Sequence, residues 1–180
     1  MLLSYNDCLK QYGNNYQIHK LLDSESLFKV SEGLYSDKKN ITELGIIVKK
    51  YSSAVLTMRN AFYYHGLTDV IPDNYDLMTD RNAAKIKSKK IKQYFCNSEL
   101  LYQGAEKINY DGTDITVYNK ERMLIELVRY KKKLPYDYYK EIISHYRSIL
   151  YELDIQQIEE LAEIFPKSRI ISETIQAEVF

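Results

Sequence analysis

The apolar and polar positions along the chain open with two short helices. Tyr5, Cys8, Leu9 and Tyr12 share one face at the i, i+3, i+4, i+7 spacing. Ser4 stands where an N-cap belongs, and Gly13 where a left-handed residue ends a helix. A second helix starts at Asn14 or Asn15 and turns Ile18, Leu21 and Leu22 inward, leaving Gln17, His19 and Lys20 on its other face. Leu27–Val30 and Leu34–Tyr35 then flank the turn-forming Ser31-Glu32-Gly33 as two short strands. Two helices and a hairpin predict a winged helix-turn-helix over residues 1–38. Gln17, His19 and Lys20 would meet base edges in a DNA groove, with Lys29 and Lys38 near phosphates. The plain alternative is a helical pair and hairpin that contact only protein.

After the polar joint Lys38–Asn40 the pattern changes to a larger mixed α/β domain over residues 39–180. Ile41, Leu44, Ile47 and Val48 form a helix face. Ala54–Met58 is an apolar run of strand length, and Asn60–His65 reads as a helical turn or two ended by Gly66. Tyr75–Thr79 and Ile91–Cys96 are strand candidates on either side of a long polar stretch. Ile108–Tyr118 contains Asp111-Gly112, a strong hairpin signal. Helices dominate afterwards. Lys120–Lys133 buries Met123, Leu124, Leu127 and Val128; Pro135 opens a helix at its first position, carrying Tyr139, Ile142, Ile143, Tyr146, Ile149 and Leu150; Ile155, Ile158, Leu161, Ala162 and Phe165 mark another, stopped by Pro166. The tail Lys167–Phe180 has apolar residues with no clear period. The fold class is therefore α+β, a winged helix-turn-helix before an α/β domain that ends in a bundle-like helical segment.

Composition narrows the classes. The 25 basic and 25 acidic residues balance to zero net charge, so the whole chain is not a nonspecific polyanion binder. Residues 1–40 are balanced too, without the basic excess typical of a DNA reader. No apolar run approaches a membrane span and no secretory signal opens the chain, which points to the cytoplasm. Cys8 and Cys96 form no metal-binding or redox spacing and read as small hydrophobes. The 18 tyrosines, with no tryptophan, supply large contact area with a polar tip.

Three blocks carry a resemblance. Val55–Pro72, VLTMRNAFYYHGLTDVIP, resembles the central motif of AbiEi-type antitoxins of bacterial abortive-infection, or type IV, toxin–antitoxin systems. Gly33–Asp37, GLYSD, looks like the segment closing that family's winged module. Val117–Arg129, VYNKERMLIELVR, is similar to its late strand-to-helix block. The resemblance spans residues 4–165. It implies an N-terminal module that binds operator DNA and represses its own operon, and a C-terminal domain that counteracts a nucleotidyltransferase toxin, with no stable complex required.

The second domain is electrically polar. Arg81, Lys85, Lys87, Lys89, Lys90 and Lys92 run without an acid among them, and Lys131, Lys132 and Lys133 form another run. Such a density can hold phosphates, of RNA or of another acidic partner; its plain alternative is a solvated loop. Catalysis has little support. No Asp-x-Asp pair, P-loop, Gly-x-Ser-x-Gly or His-Glu-x-x-His occurs, and His65 has no second ligand at metal spacing. No catalytic residue, metal or cofactor is expected. The first reading is a DNA-binding antitoxin and autorepressor. The alternatives are a protein-interaction module without DNA binding, or an RNA-binding or enzymatic factor using the basic 81–92 surface.

Overall fold

In the computed structural model, which describes residues 1–180, the first strand is one the periodicity missed. β1 (Leu2–Ser4) leads directly into α1 (Tyr5–Tyr12) and pairs antiparallel with β3 (Leu34–Ser36). At the junction Ser4 accepts the Asp7 amide and the Asp7 carboxylate accepts the Ser4 amide, a reciprocal capping box. Gly13, at φ +89°, ends the helix, and Asn14 caps α2 (Asn15–Asp23) by accepting the Gln17 amide. β2 (Phe28–Ser31) and β3 form the expected hairpin, with Gly33 at positive φ and a register break between Lys29 and Ser31. The sheet order is β1-β3-β2. Leu3, Cys8, Ile18 and Leu27 make its small core; Leu21 and Leu22, expected inside, are only partly buried against it.

Packing divides the chain after Ser52 rather than at residue 38. One unit is 1–52 with 111–114; the other is 53–110 with 115–180. The polar joint is a loop inside the first unit. α3 (Glu43–Lys50) returns onto β1 and α1, with Gly45 close against Leu2 and Lys49 paired with Asp7 at 3.3 Å. The pair of helices thus gains a third from the C-terminal side.

The second unit holds a mixed sheet ordered β6-β5-β4-β8-β7. Its strands are β4 (Val55–Leu56), β5 (Tyr75–Asp80), β6 (Ile91–Cys96), β7 (Ala105–Tyr110) and β8 (Thr113–Tyr118). β4 is shorter than the apolar run because α4 (Met58–Tyr64) already starts at Met58. After α4, Gly66 takes φ +67°, the left-handed stop expected of it. Asp111 and Gly112 both adopt positive φ, as a two-residue hairpin turn requires. The short α5 (Ser98–Leu101) precedes β7. α6 (Lys120–Tyr130), α7 (Tyr136–Ser148), α8 (Ile155–Glu163) and α9 (Ser168–Glu178) complete the unit. Pro135 is the N-cap of α7 rather than its first residue, and Ile149 and Leu150 lie beyond the end of α7. The tail is a helix after all: Ile171, Ile175 and Val179 recur every fourth position and are buried. No helix is long and apolar enough to cross a membrane.

α6 is the hub, packing against α4, α8 and α9. Every residue from Arg122 to Leu127 is buried, so the helix is enclosed all round, although Val128 is only half-buried. Arg122 and Glu126, both with fully buried side chains, meet one turn apart; Nε donates to Glu126 Oε1 at 3.0 Å. Nη1 donates to the carbonyls of Leu100 and Gln103, and Arg129 Nη1 approaches both Glu126 oxygens. Nη2 lies 2.9 Å from Glu126 Oε1 but off the axis of a hydrogen bond. The guanidinium is sandwiched between the rings of Tyr118 and Phe165, 4.3 and 4.4 Å from their centroids. Gly104 is required here twice: its φ is +72°, and an added Cβ would fall 2.6 Å from Arg122 Cβ.

Removing one half of a buried ion pair strands the other. Glu126→Ala should cost about 3–5 kcal/mol, and the double change Arg122→Met, Glu126→Leu distinctly less. Gly66→Ala has open space but a left-handed backbone and should cost about 1–2 kcal/mol. Urea unfolding ranks the three; equal losses for Glu126→Ala and the double change would mean that unpaired charge is not the cause.

Candidate functional site

Two surfaces contain the residues singled out by sequence. On α2, Gln17, His19 and Lys20 are exposed while Ile18, between them, is 2% exposed and anchors the helix. Lys29 is exposed on β2 opposite Tyr35, and Lys38 is exposed just after β3, its amide donating to Ser36 Oγ at 2.9 Å. Tyr16, 73% exposed on the same helix, was not singled out, because its ring fits either face of the pattern.

The basic run 81–92 does not form one surface. β5 and β6 are parallel, so residues 81–90 must travel back along the sheet to begin β6 at the same end as β5. Gln93 staples this return segment. Its Oε1 accepts the Ile86 amide at 2.8 Å, and its Nε2 donates to Ala84 O and to Thr79 Oγ1. Arg81, Lys85, Lys87, Lys89 and Lys90 are exposed along the strap. Lys92, one residue before Gln93, points to the opposite face of the strand, beside Tyr94. Charge counting along the sequence cannot see that alternation.

On Lys92's face a second cluster forms. Asp76, the registered partner of Lys92, is 1% exposed. Its Oδ2 accepts the Arg59 amide at 3.1 Å, and its own amide donates to Asn60 Oδ1 at 2.6 Å. Asp76 thereby caps α4 from another strand, where Thr57 makes no side-chain cap. This exchange holds the first turn of α4, in which the buried Met58 keeps an unusual φ of +45°. Burial raises the Asp76 carboxyl above its usual range, opposed by the Arg59 hydrogen bond and by the charges of Lys92 and Arg59. Burial likewise raises the phenols of Tyr94 and Tyr138. Tyr138 Oη is buried without a partner.

A cavity of about 370 Å³ runs beside the edge strand β6. Met58, Lys92, Tyr94, Tyr130 and Lys133 line it. The ends of the two basic runs therefore meet at one place. Tyr94 and Tyr130 pack edge to face at 5.4 Å; Lys92 Nζ and Lys133 Nζ each lie 5.2 Å from a tyrosine centroid, Tyr94 and Tyr130 respectively.

His65 is scaffold: its Nε2 lies 2.6 Å from Tyr118 O, with Glu106 at 3.8 Å, and its side chain is 7% exposed. Cys8 and Cys96 are buried free thiols, both raised by burial. No group of three or more His, Cys, Asp or Glu gathers as a metal site.

No family model and no curated protein sequence matches the chain. Among solved structures it is similar to the crystal structure of the Rv2827c protein from Mycobacterium tuberculosis, with a TM-score of 0.67 over 99% of this chain and 72% of that one. At 11% identity that likeness speaks for the mixed α+β fold alone.

The Asp76 geometry gives a pH test. A carboxyl whose folded pKa is raised favours the fold most in acid and loses that contribution as pH rises past its ordinary value of 3.8 and through the folded value. Asp76→Asn keeps an oxygen for the Arg59 amide and removes the buried charge. Its melting temperature should exceed wild type near neutral pH, and the margin should shrink toward pH 3.8. A margin that is constant across this range would mean that burial does not shift the Asp76 carboxyl.

Proposed function

We propose that this chain is a DNA-binding antitoxin of the AbiEi type, which represses its own operon and counteracts a nucleotidyltransferase toxin. The single observation that carries the DNA half is α2: one buried anchor, Ile18, and an exposed polar face of Gln17, His19 and Lys20 beside the β2–β3 hairpin. A helix held this way can enter a major groove, with Gln17 and Lys20 at base edges and Lys29 at a phosphate. The antitoxin half rests on the resemblance of the three sequence blocks.

A second reading, docking to protein instead of DNA, is favoured by Tyr16, a large exposed ring on the same face of α2. Gel-shift titration separates the two. The DNA upstream of the chain's own gene should bind in preference to scrambled DNA. Gln17→Ala should shrink that preference, whereas Lys29→Gln should weaken both DNAs alike and lower the salt slope by about one unit. Absence of any preference for the upstream DNA would sink the repressor reading. Co-expression with a nucleotidyltransferase encoded beside the gene should restore growth; failure to do so with folded protein would sink the antitoxin reading.

A further inference from the structure

We propose that the cavity between Lys92 and Lys133 binds a nucleoside 5′-phosphate, free or as the end of a nucleic-acid strand. The inference is independent of the DNA reading of α2, because every residue it uses lies in 53–110 or 115–180.

Five observations converge on that chemistry. Two ammonium groups reach the cavity from separate elements, β6 and the turn after α6, and no acid lines it. Two spaced point charges suit a phosphate monoester, which carries up to two negative charges and several acceptor oxygens. Each ammonium rests over a tyrosine ring rather than on a carboxylate, so an incoming phosphate has no ion pair to break. The two carboxylates that act electrostatically on these rings are already engaged: Asp76 caps α4, and Glu126 is enclosed by Arg122 and Arg129. The walls are aromatic, and a base stacks on tyrosine with little regard to its identity. A volume of about 370 Å³ falls within the range of small-molecule sites.

The site is built on rigid parts. Tyr94 lies in a strand paired along its length with β5, and Tyr130 ends the enclosed helix α6. Met58 on the floor is held at its strained φ by the Asp76 exchange with Arg59 and Asn60. Gln93, which holds the strap, also lines the cavity, but none of the strap's own residues, Arg81 to Lys90, does.

Titration calorimetry on the full chain at low salt tests the proposal, with adenosine 5′-monophosphate, adenosine, inorganic phosphate, and a short single strand with or without a 5′-phosphate as probes. The monophosphate should bind saturably and about tenfold tighter than adenosine or inorganic phosphate. Lys92→Gln with Lys133→Gln should abolish that difference in a protein that stays folded by circular dichroism, with only a small drop in melting temperature from losing the Lys92 charge beside Asp76. Lys107→Gln, exposed on β7 away from the cavity, should leave it unchanged. Tighter binding of the phosphorylated strand than of the mononucleotide assigns the ligand to a strand end, and the reverse assigns it to a free nucleotide. Monophosphate affinity unaltered by the double lysine change overturns the proposal. So does absence of saturable binding by both the mononucleotide and the phosphorylated strand.

Discussion

A guanidinium taken out of water organises the larger unit. Arg122 is fully buried, and removing such a charge from solvent costs several kcal/mol unless it is paired and hydrogen-bonded. The surrounding architecture meets that demand from five directions. Glu126 supplies the countercharge, the end of α5 and the turn after it supply one carbonyl each, Tyr118 and Phe165 close the two faces, and Gly104 leaves the room. The last turn of α5, the end of β8 and the segment after α8 are thereby tied to a single side chain of α6. This also explains why tyrosine serves so well as a core residue here. The Tyr118 hydroxyl donates to Leu101 O and the Tyr146 hydroxyl to Lys120 O, so rings that fill the core bring their polar tips to backbone carbonyls at element ends.

The same economy of shared partners recurs along β5 and β6. On one face Gln93 binds the return segment that lets two parallel strands sit side by side; on the other, Asp76 completes the cap of α4. Cations stand on both faces, but in different settings. The strap lysines stand in solvent, where a phosphate contact is a matter of charge. Lys92 and Lys133 stand over aromatic rings at a concave edge, where shape and stacking join charge. Only the second setting offers chemistry specific enough to select a ligand.

Much of the block Val55–Pro72 has a structural reason. Thr57 Oγ1 lies 3.8 Å from Met123 Sδ, Asn60 receives the Asp76 amide, His65 meets Tyr118 O, and Gly66 turns the chain. Phe62 and Leu67 fill the core, and Thr68 donates to Glu141 at 2.8 Å. Tyr63 and Tyr64 are both half-buried against Tyr110. Arg122, Glu126 and Arg129 do the same for Val117–Arg129. The residues that carry the resemblance are mostly scaffold, and of the groups in the two proposed binding surfaces, on α2 and around Tyr94, only Met58 belongs to them.

Local chemistry along the sequence determined the caps and stops: Ser4, Gly13, Asn14, Gly66 and the Asp111-Gly112 turn behave as their residue types require, because each acts through its own backbone or that of a neighbour a few residues away. Amphipathic periodicity likewise determined α1, α2, α6, α7 and α8. What the tertiary structure decided is everything that depends on a partner distant in the chain. β1 is too short to show a period and exists because β3 is there to pair with it. The α9 helix rests on Ile171, Ile175 and Val179, too sparse a face to announce itself among polar neighbours. Arg122 and Glu126 read as solvated helix residues until Leu100, Gln103, Tyr118 and Phe165 enclose them. Lys92 and Lys133 belong to different charge runs and become one site only where the edge of a sheet meets the end of a helix. Hydrophobic period and turn chemistry are local and can be read from sequence, whereas burial of a charge and convergence of two distant cations are properties of packing, which no single segment encodes.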